Sequence, residues 1–193
     1  NSASLKFIPI EKLKEAGYGE YLHLFETSSN QDNSTVKKEI AIFGAGCFWG
    51  VEEVFRKIPG VIKTTVRYSG GNNANPTYED VCTGRTGHAE VIKIEFNNEQ
   101  VSYEKLLEIF FKSHDPTTLN RQGPDVGTQY RSVIFFFSSK QEEAAKKAIE
   151  KLKNSGRYSR QIVTAVERAG AFYPAEEYHQ KYYQKRGGGS CYR

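Results

Sequence analysis

Apolar positions along the chain follow two periods, and the alternation between them marks out the elements. Ile40-Ala41-Ile42-Phe43 is a short continuous apolar run, the pattern of a buried central strand. Val51, Val54, Phe55 and Ile58 then recur at i, i+3, i+4 and i+7, which predicts an amphipathic helix closed by Pro59-Gly60. Residues 61–68 alternate as a strand, 69–76 form a Gly/Asn-rich loop, and 89–96 alternate again. Residues 103–112 return to helical spacing, with Leu106, Leu107, Phe110 and Phe111 on the stripe. The loop over 115–129 exceeds the usual connection length, which marks it as functional or disordered. After it come a buried run at 133–137, a helix over 140–153, a strand over 162–166 and a last helix over 175–184.

The core order is therefore β-α-β-β-α-β. It predicts an α+β fold, a ferredoxin-like two-layer sandwich with helices on one face of a mixed sheet and further helices and a strand appended. Residues 1–37 read as an N-terminal extension and linker: 5–10 pair or pack, 11–24 hold a short helix, and 28–35 are polar turn formers. Residues 38–186 read as the globular domain. Residues 187–193, which open on Gly187-Gly188-Gly189, read as a flexible tail carrying Cys191.

Composition narrows the function classes. The 193 residues suffice for one large domain or two small ones with a real core. No apolar run approaches the ~20 residues of a bilayer-spanning helix, so no membrane association is expected. A net charge of +4 permits an acidic partner without demanding nucleic acid. Cys47, Cys82 and Cys191 are an odd number at wide spacing, and no C-x-x-C pair is present. That argues against a disulfide framework or a zinc site and for working thiols in a reduced compartment. The cytoplasm is expected; a mitochondrion or other organelle stays open, because a chain starting at Asn1 is compatible with removal of a targeting segment.

The chemistry concentrates in a few segments. Gly44-Ala45-Gly46-Cys47-Phe48-Trp49-Gly50 joins the first strand to the first helix. That places Cys47 at a helix N-terminus, where backbone N–H groups favour a thiolate, with Phe48 and Trp49 as an apolar wall. A buried inert cysteine and a phosphate loop compete with this reading, but the third glycine is misplaced for G-x-G-x-x-G and the aromatics block the approach. Glu90 shares a strand face with Ile92, Ile94 and Phe96, so it points toward the core or escapes at the strand's edge. A carboxyl in apolar surroundings holds its proton and can act as a general acid. His88 invites a Cys-His hydrolase reading with Cys47. Tyr78 and Tyr130 lie in or beside Gly/Asn/Pro-rich loops, and Asp125 by itself is a turn former.

Together these segments resemble the peptide methionine sulfoxide reductase A family. The resemblance rests on Gly46-Cys47-Phe48-Trp49-Gly50, Asn75-Pro76-Thr77-Tyr78-Glu79 and Gly87-His88-Ala89-Glu90. It extends through His114-Asp115-Pro116-Thr117, Asn120-Arg121-Gln122-Gly123, Asp125 to Ser132 and Ala175-Glu176-Glu177-Tyr178-His179-Gln180, in order from about residue 38 to 183. Arg67 stands where the family pattern has glycine. The resemblance implies that residues 38–186 are a catalytic domain reducing methionine S-sulfoxide, protein-bound or free. Cys47 is implied as nucleophile and Glu90 as proton donor, assisted by the Tyr78 and Tyr130 hydroxyls. Phe48 and Trp49 would hold the substrate methyl group, and Asp125 would orient the remainder. A Cys47 sulfenic acid would follow, then a Cys47–Cys191 disulfide opened by thioredoxin or dithiothreitol, with Cys82 packed and structural. No metal or organic cofactor is expected, and a monomer is. Two other classes compete: a ferredoxin-like RNA-binding module, which lacks the aromatic RNP signature, and a thiol hydrolase using Cys47 and His88.

Overall fold

The computed structural model describes residues 36–188; the expected extension over 1–35 and the tail residues 189–193, Cys191 among them, lie outside the described residues. Strand β1 (Lys38–Ala45) leads into helix α1 (Phe48–Phe55), followed by β2 (Val61–Ser69), α2 (Tyr78–Cys82) and β3 (Ala89–Asn97). Helix α3 (Tyr103–Ser113) precedes a small hairpin, β4 (Arg121–Gln122) with β5 (Asp125–Val126), and a 3₁₀ turn at Thr128–Tyr130. The chain closes with β6 (Ser132–Phe136), α4 (Ser139–Asn154), β7 (Ala165–Arg168), β8 (Phe172–Pro174), a 3₁₀ turn at Glu177–His179 and α5 (Tyr182–Lys185).

The fold is α+β. Six strands form one sheet in the order β7-β6-β1-β3-β2-β8, antiparallel except where β6 and β7 run parallel. This mixed sheet curls into a half-barrel. Alternation along β1 and β3 feeds two cores. Ala41, Phe43, Ile92, Ile94 and Phe96 meet Phe55, Leu106, Phe110 and Ala145 of the helices on one face. Ile42, Val91, Val133 and Phe135 face the other way, under Ala165, Ala169 and Phe172. A third cluster, Phe48, Val66, Tyr68, Val81 and Ala175, lies behind the N-terminus of α1.

Several elements differ from the periodicity. Val54, expected on the buried stripe of α1, is 41% exposed, and Ile58 lies beyond the helix end. Val51 and Phe55 of that stripe are buried as expected, together with Phe48, Glu52 and Glu53. The run 133–137 keeps Phe137 exposed, past the end of β6. The strand expected at 162–166 starts at Ala165, because parallel pairing with Val133–Phe136 sets its register. Ile162 is buried by loop packing, where the next amide, Val163 N–H, donates to Pro116 O. β8 was not signalled by the pattern; it forms by adding to the β2 edge, with the Arg67 guanidinium 5.1 Å above the Phe172 ring. The long loop over 115–129 is ordered by the β4–β5 hairpin and by Gln122, whose amide exchanges hydrogen bonds with the Asp115 backbone. The last predicted helix is broken at Lys181, which adopts a left-handed conformation (φ 51°).

Candidate active site

The site is built at the point where β1 ends and α1 begins. Gly46 takes φ 92°, a left-handed conformation that glycine adopts without a Cβ clash and that turns the chain from strand to helix. Cys47 follows as N-cap residue, half-buried, with the first helical amide beside it. That amide, Phe48 N–H, donates to Glu90 Oε2 at 3.0 Å. A thiol and a carboxyl therefore share one helix N-terminus, where the unsatisfied N–H groups and the dipole favour negative charge.

Glu90 is 2% exposed and lies opposite Tyr68 in the β2–β3 ladder. Around it stand three phenols. Burial raises the pKa of Tyr68, Tyr78 and Tyr130, and Glu90, whenever it is ionised, raises each further. The Tyr78 and Tyr130 hydroxyls consequently remain hydrogen-bond donors throughout the physiological range. Tyr78 opens α2, which is fixed by a capping box between Thr77 and Asp80. Tyr130 ends the 3₁₀ turn behind Gly127, where any Cβ would strike Gln129 Oε1 at 2.2 Å. The charges of Asp125 and Cys47 also act on Tyr130. Cys47, Glu90, Tyr78, Tyr130 and Asp125, far apart in sequence, thus gather into one electrostatic neighbourhood.

An aromatic wall flanks them. The Phe48 ring is buried against Tyr68 and His179, with centroids 5.7 and 5.2 Å away. Trp49 is half-buried and held from two directions. Its indole N–H donates to His179 Nδ1 at 2.9 Å, and its ring stacks on Tyr182 at 3.8 Å with planes 4° apart. Burial lowers the pKa of His179, so the imidazole is neutral and its proton sits on Nε2, 3.4 Å from Glu176 Oε2.

Other expectations are corrected. His88 Nδ1 accepts from Gly71 N–H and its Nε2 donates to Asn73 O, so both ring nitrogens are committed to backbone. An imidazole with no lone pair to spare cannot serve Cys47 as base, and the Cys-His hydrolase reading fails. Gly71 itself approaches too closely for a side chain: a Cβ there would lie 2.3 Å from Thr86 O. Cys82, expected to be packed, is exposed at the end of α2, with its thiol near the Tyr78 hydroxyl. The RNA-binding alternative needs exposed aromatics on the sheet face opposite the helices, but Phe135 is buried there under Ala165, Ala169 and Phe172. Among the described residues, no group of three or more His, Cys, Asp or Glu side chains is placed to hold a metal, and no helix is long and apolar enough to cross a membrane.

Four side chains at the site were not singled out from the sequence one by one: Glu52, Glu176, His179 and Tyr182. A signal existed for Glu52, which lies three residues after Trp49 and so shares its helix face.

Comparison with known proteins completes the description. Residues 39–193 match the family model described as peptide methionine sulfoxide reductase. The "peptide methionine sulfoxide reductase MsrA" of Methanoculleus marisnigri is 60% identical over 153 residues, which is 79% of this chain and 93% of that protein. Among solved structures, reduced Mxr1 from Saccharomyces cerevisiae superposes with a TM-score of 0.75 at 34% identity, covering 83% of this chain and 92% of that one. The same yeast protein in complex with Trx2 gives a TM-score of 0.55 at 26% identity, over 79% and 90% of the two chains.

Proposed function

The chain belongs to the peptide methionine sulfoxide reductase family, and from that premise we propose how its own residues divide the work. The reaction is the reduction of methionine sulfoxide to methionine by thiol chemistry. Cys47 is the nucleophile. Its thiolate, favoured at the N-terminus of α1, attacks the sulfoxide sulfur while Glu90 delivers a proton to the oxygen. Tyr78 and Tyr130 donate hydrogen bonds to that oxygen, which is where negative charge would otherwise accumulate. Attack forms a bond between the Cys47 sulfur and the substrate sulfur as the S–O bond breaks and the protonated oxygen leaves as water. Water then attacks the Cys47 sulfur, the S–S bond breaks with its electron pair going to methionine, and Cys47 is left as a sulfenic acid. Phe48 and Trp49 hold the methyl group of the S epimer, and Asp125 orients the backbone side of the substrate.

Recycling is the second half. The Cys191 thiol condenses with the Cys47 sulfenic acid, expelling water and leaving a disulfide, which a thioredoxin dithiol then opens by exchange. The complex of the yeast relative Mxr1 with Trx2 supports thioredoxin as the reductant. The same reading takes β6-β1-β3-β2 as a ferredoxin-like core to which β7 and β8 are added at the edges.

The observation that supports the proposal is the hydrogen bond from Phe48 N–H to Glu90, which holds a buried carboxyl beside Cys47. The test is turnover of separated methionine sulfoxide epimers with dithiothreitol. The S epimer should be consumed and the R epimer left, and Cys47→Ser should release no methionine. Equal consumption of both epimers, or an active Cys47→Ser enzyme, refutes the assignment.

A further inference from the structure

Glu52 is the most deeply buried carboxylate on α1, 1% exposed, and the chemistry above gives it no task. One of its oxygens accepts the backbone N–H of Lys181, a residue 129 positions away. The other, Oε2, and the neighbouring Thr64 hydroxyl are both buried without a hydrogen-bond partner among the described residues. Burial holds the Glu52 pKa above the ordinary carboxylate value, and the Lys181 amide opposes that rise.

Lys181 is where the expected C-terminal helix breaks. Its φ of 51° and ψ of 41° put a residue with a full side chain in the left-handed region, a conformation that persists only where surrounding contacts impose it. Two residues before it is His179, which accepts the Trp49 indole N–H; one residue after it is Tyr182, which stacks on the indole face. In a continuous helix, positions 179 and 182 would lie on one side of the same cylinder and could not bracket one ring. The break at Lys181 lets them do so. Gln180 holds the same segment to the sheet: its Oε1 accepts from Val66 N–H and its Nε2 donates to Val66 O. Trp49 and Glu52, an i, i+3 pair on α1, therefore engage one four-residue stretch: Trp49 through its side chains and Glu52 through its backbone.

We propose that Glu52 is a positioning residue for the reductase reaction: by accepting the Lys181 amide it imposes the left-handed turn that aims His179 and Tyr182 at Trp49, and so fixes the indole wall of the site. This rests on the reading of Trp49 as a substrate contact. The role belongs to the acceptor oxygen rather than to negative charge, so glutamine at this position fulfils it. Aspartate, one methylene shorter, does not reach.

Trp49 is the single tryptophan of the sequence, so tryptophan emission, excited to the red of tyrosine absorption, reports this wall alone. Glu52→Ala should shift its emission to the red, increase its quenching by acrylamide, and raise KM for methionine S-sulfoxide about tenfold, with the single-turnover rate at saturating substrate nearly unchanged. Glu52→Asp, which keeps a carboxyl on the helix if alanine prevents folding, should move emission and KM the same way. Glu52→Gln should return both to the values of the unaltered protein. Unchanged emission in folded Glu52→Ala or Glu52→Asp overturns the proposal, as does a Gln variant that behaves like Ala. Shifted emission with an unchanged KM upholds the clamp on the indole but overturns its role in the reaction, and locates the fault in the reading of Trp49.

Discussion

At the scale of single residues, the site separates groups by what their surroundings do to protons. Tyr78 and Tyr130 are held protonated chiefly by burial, and His179 is held neutral by burial. In the proposed division of work Glu90 exchanges the proton next to Cys47, where the Phe48 amide holds its carboxyl. Glu90→Gln preserves shape and that acceptor while removing the acid. General acid catalysis contributes ~10²–10⁴-fold, and a loss of that order is expected in single-turnover methionine release with little change in KM. An unaltered single-turnover rate near neutral pH would remove Glu90 from the chemistry. The sequence placed Glu90 on the apolar face of its strand but left open whether its head escaped to water. Burial under Phe48 and the aromatic cluster closes that question, because the cover comes from segments distant in sequence.

Between elements, histidine and glycine mark the joints. His114 follows the last turn of α3, its Nδ1–H donating to Phe110 O and its Nε2 accepting from Ser132 Oγ on β6. Burial pushes its pKa down to about 4. In the unfolded chain the ordinary value is about 6.5. Between those pH values the unfolded chain binds a proton that the folded protein refuses. The stability contributed is full above pH 6.5 and is lost as pH falls toward 4, by about 3 kcal/mol at the complete shift. His114→Gln should therefore be less stable than the unaltered protein at pH 7, yet lose less on going to pH 4.5, as read from urea midpoints. Parallel pH curves for the two proteins would show that the imidazole is not what titrates. Helices α3 and α4 follow their periodicity to within a residue at each end, since an apolar stripe on a long helix has one way to bury itself. The short α1, the β7 register and the break at Lys181 do not, because neighbours rather than local spacing set them.

At the scale of the whole molecule, the proposed reaction needs a second thiol to recycle oxidised Cys47. Cys191 lies outside the described residues, and Cys82 is exposed rather than packed, so both thiols are candidates to meet Cys47. Cys191 follows Gly187-Gly188-Gly189 in the sequence, whereas α2 is tied at its N-terminus by the Thr77–Asp80 box, so Cys191 is the partner proposed for Cys47. Cys191→Ser should release about one methionine per enzyme and then stall with thioredoxin, while Cys82→Ser continues to turn over. Normal cycling of Cys191→Ser with thioredoxin, or a dominant Cys47–Cys82 bridge in peptide maps of the oxidised enzyme, reverses the assignment. What the sequence alone determined is everything that depends on near neighbours. That includes the α+β class from its two periods, the thiol at a helix start from Gly46-Cys47-Phe48, and the family from motifs in order along one chain. The tertiary structure decided what depends on residues meeting across long separations: the committed nitrogens of His88, the exposure of Cys82, and the wall in which Glu52 and Trp49 reach Lys181 and His179 about 130 positions away. The physical reason is that periodicity records which face of an element is buried, and says nothing of which distant segment comes to bury it.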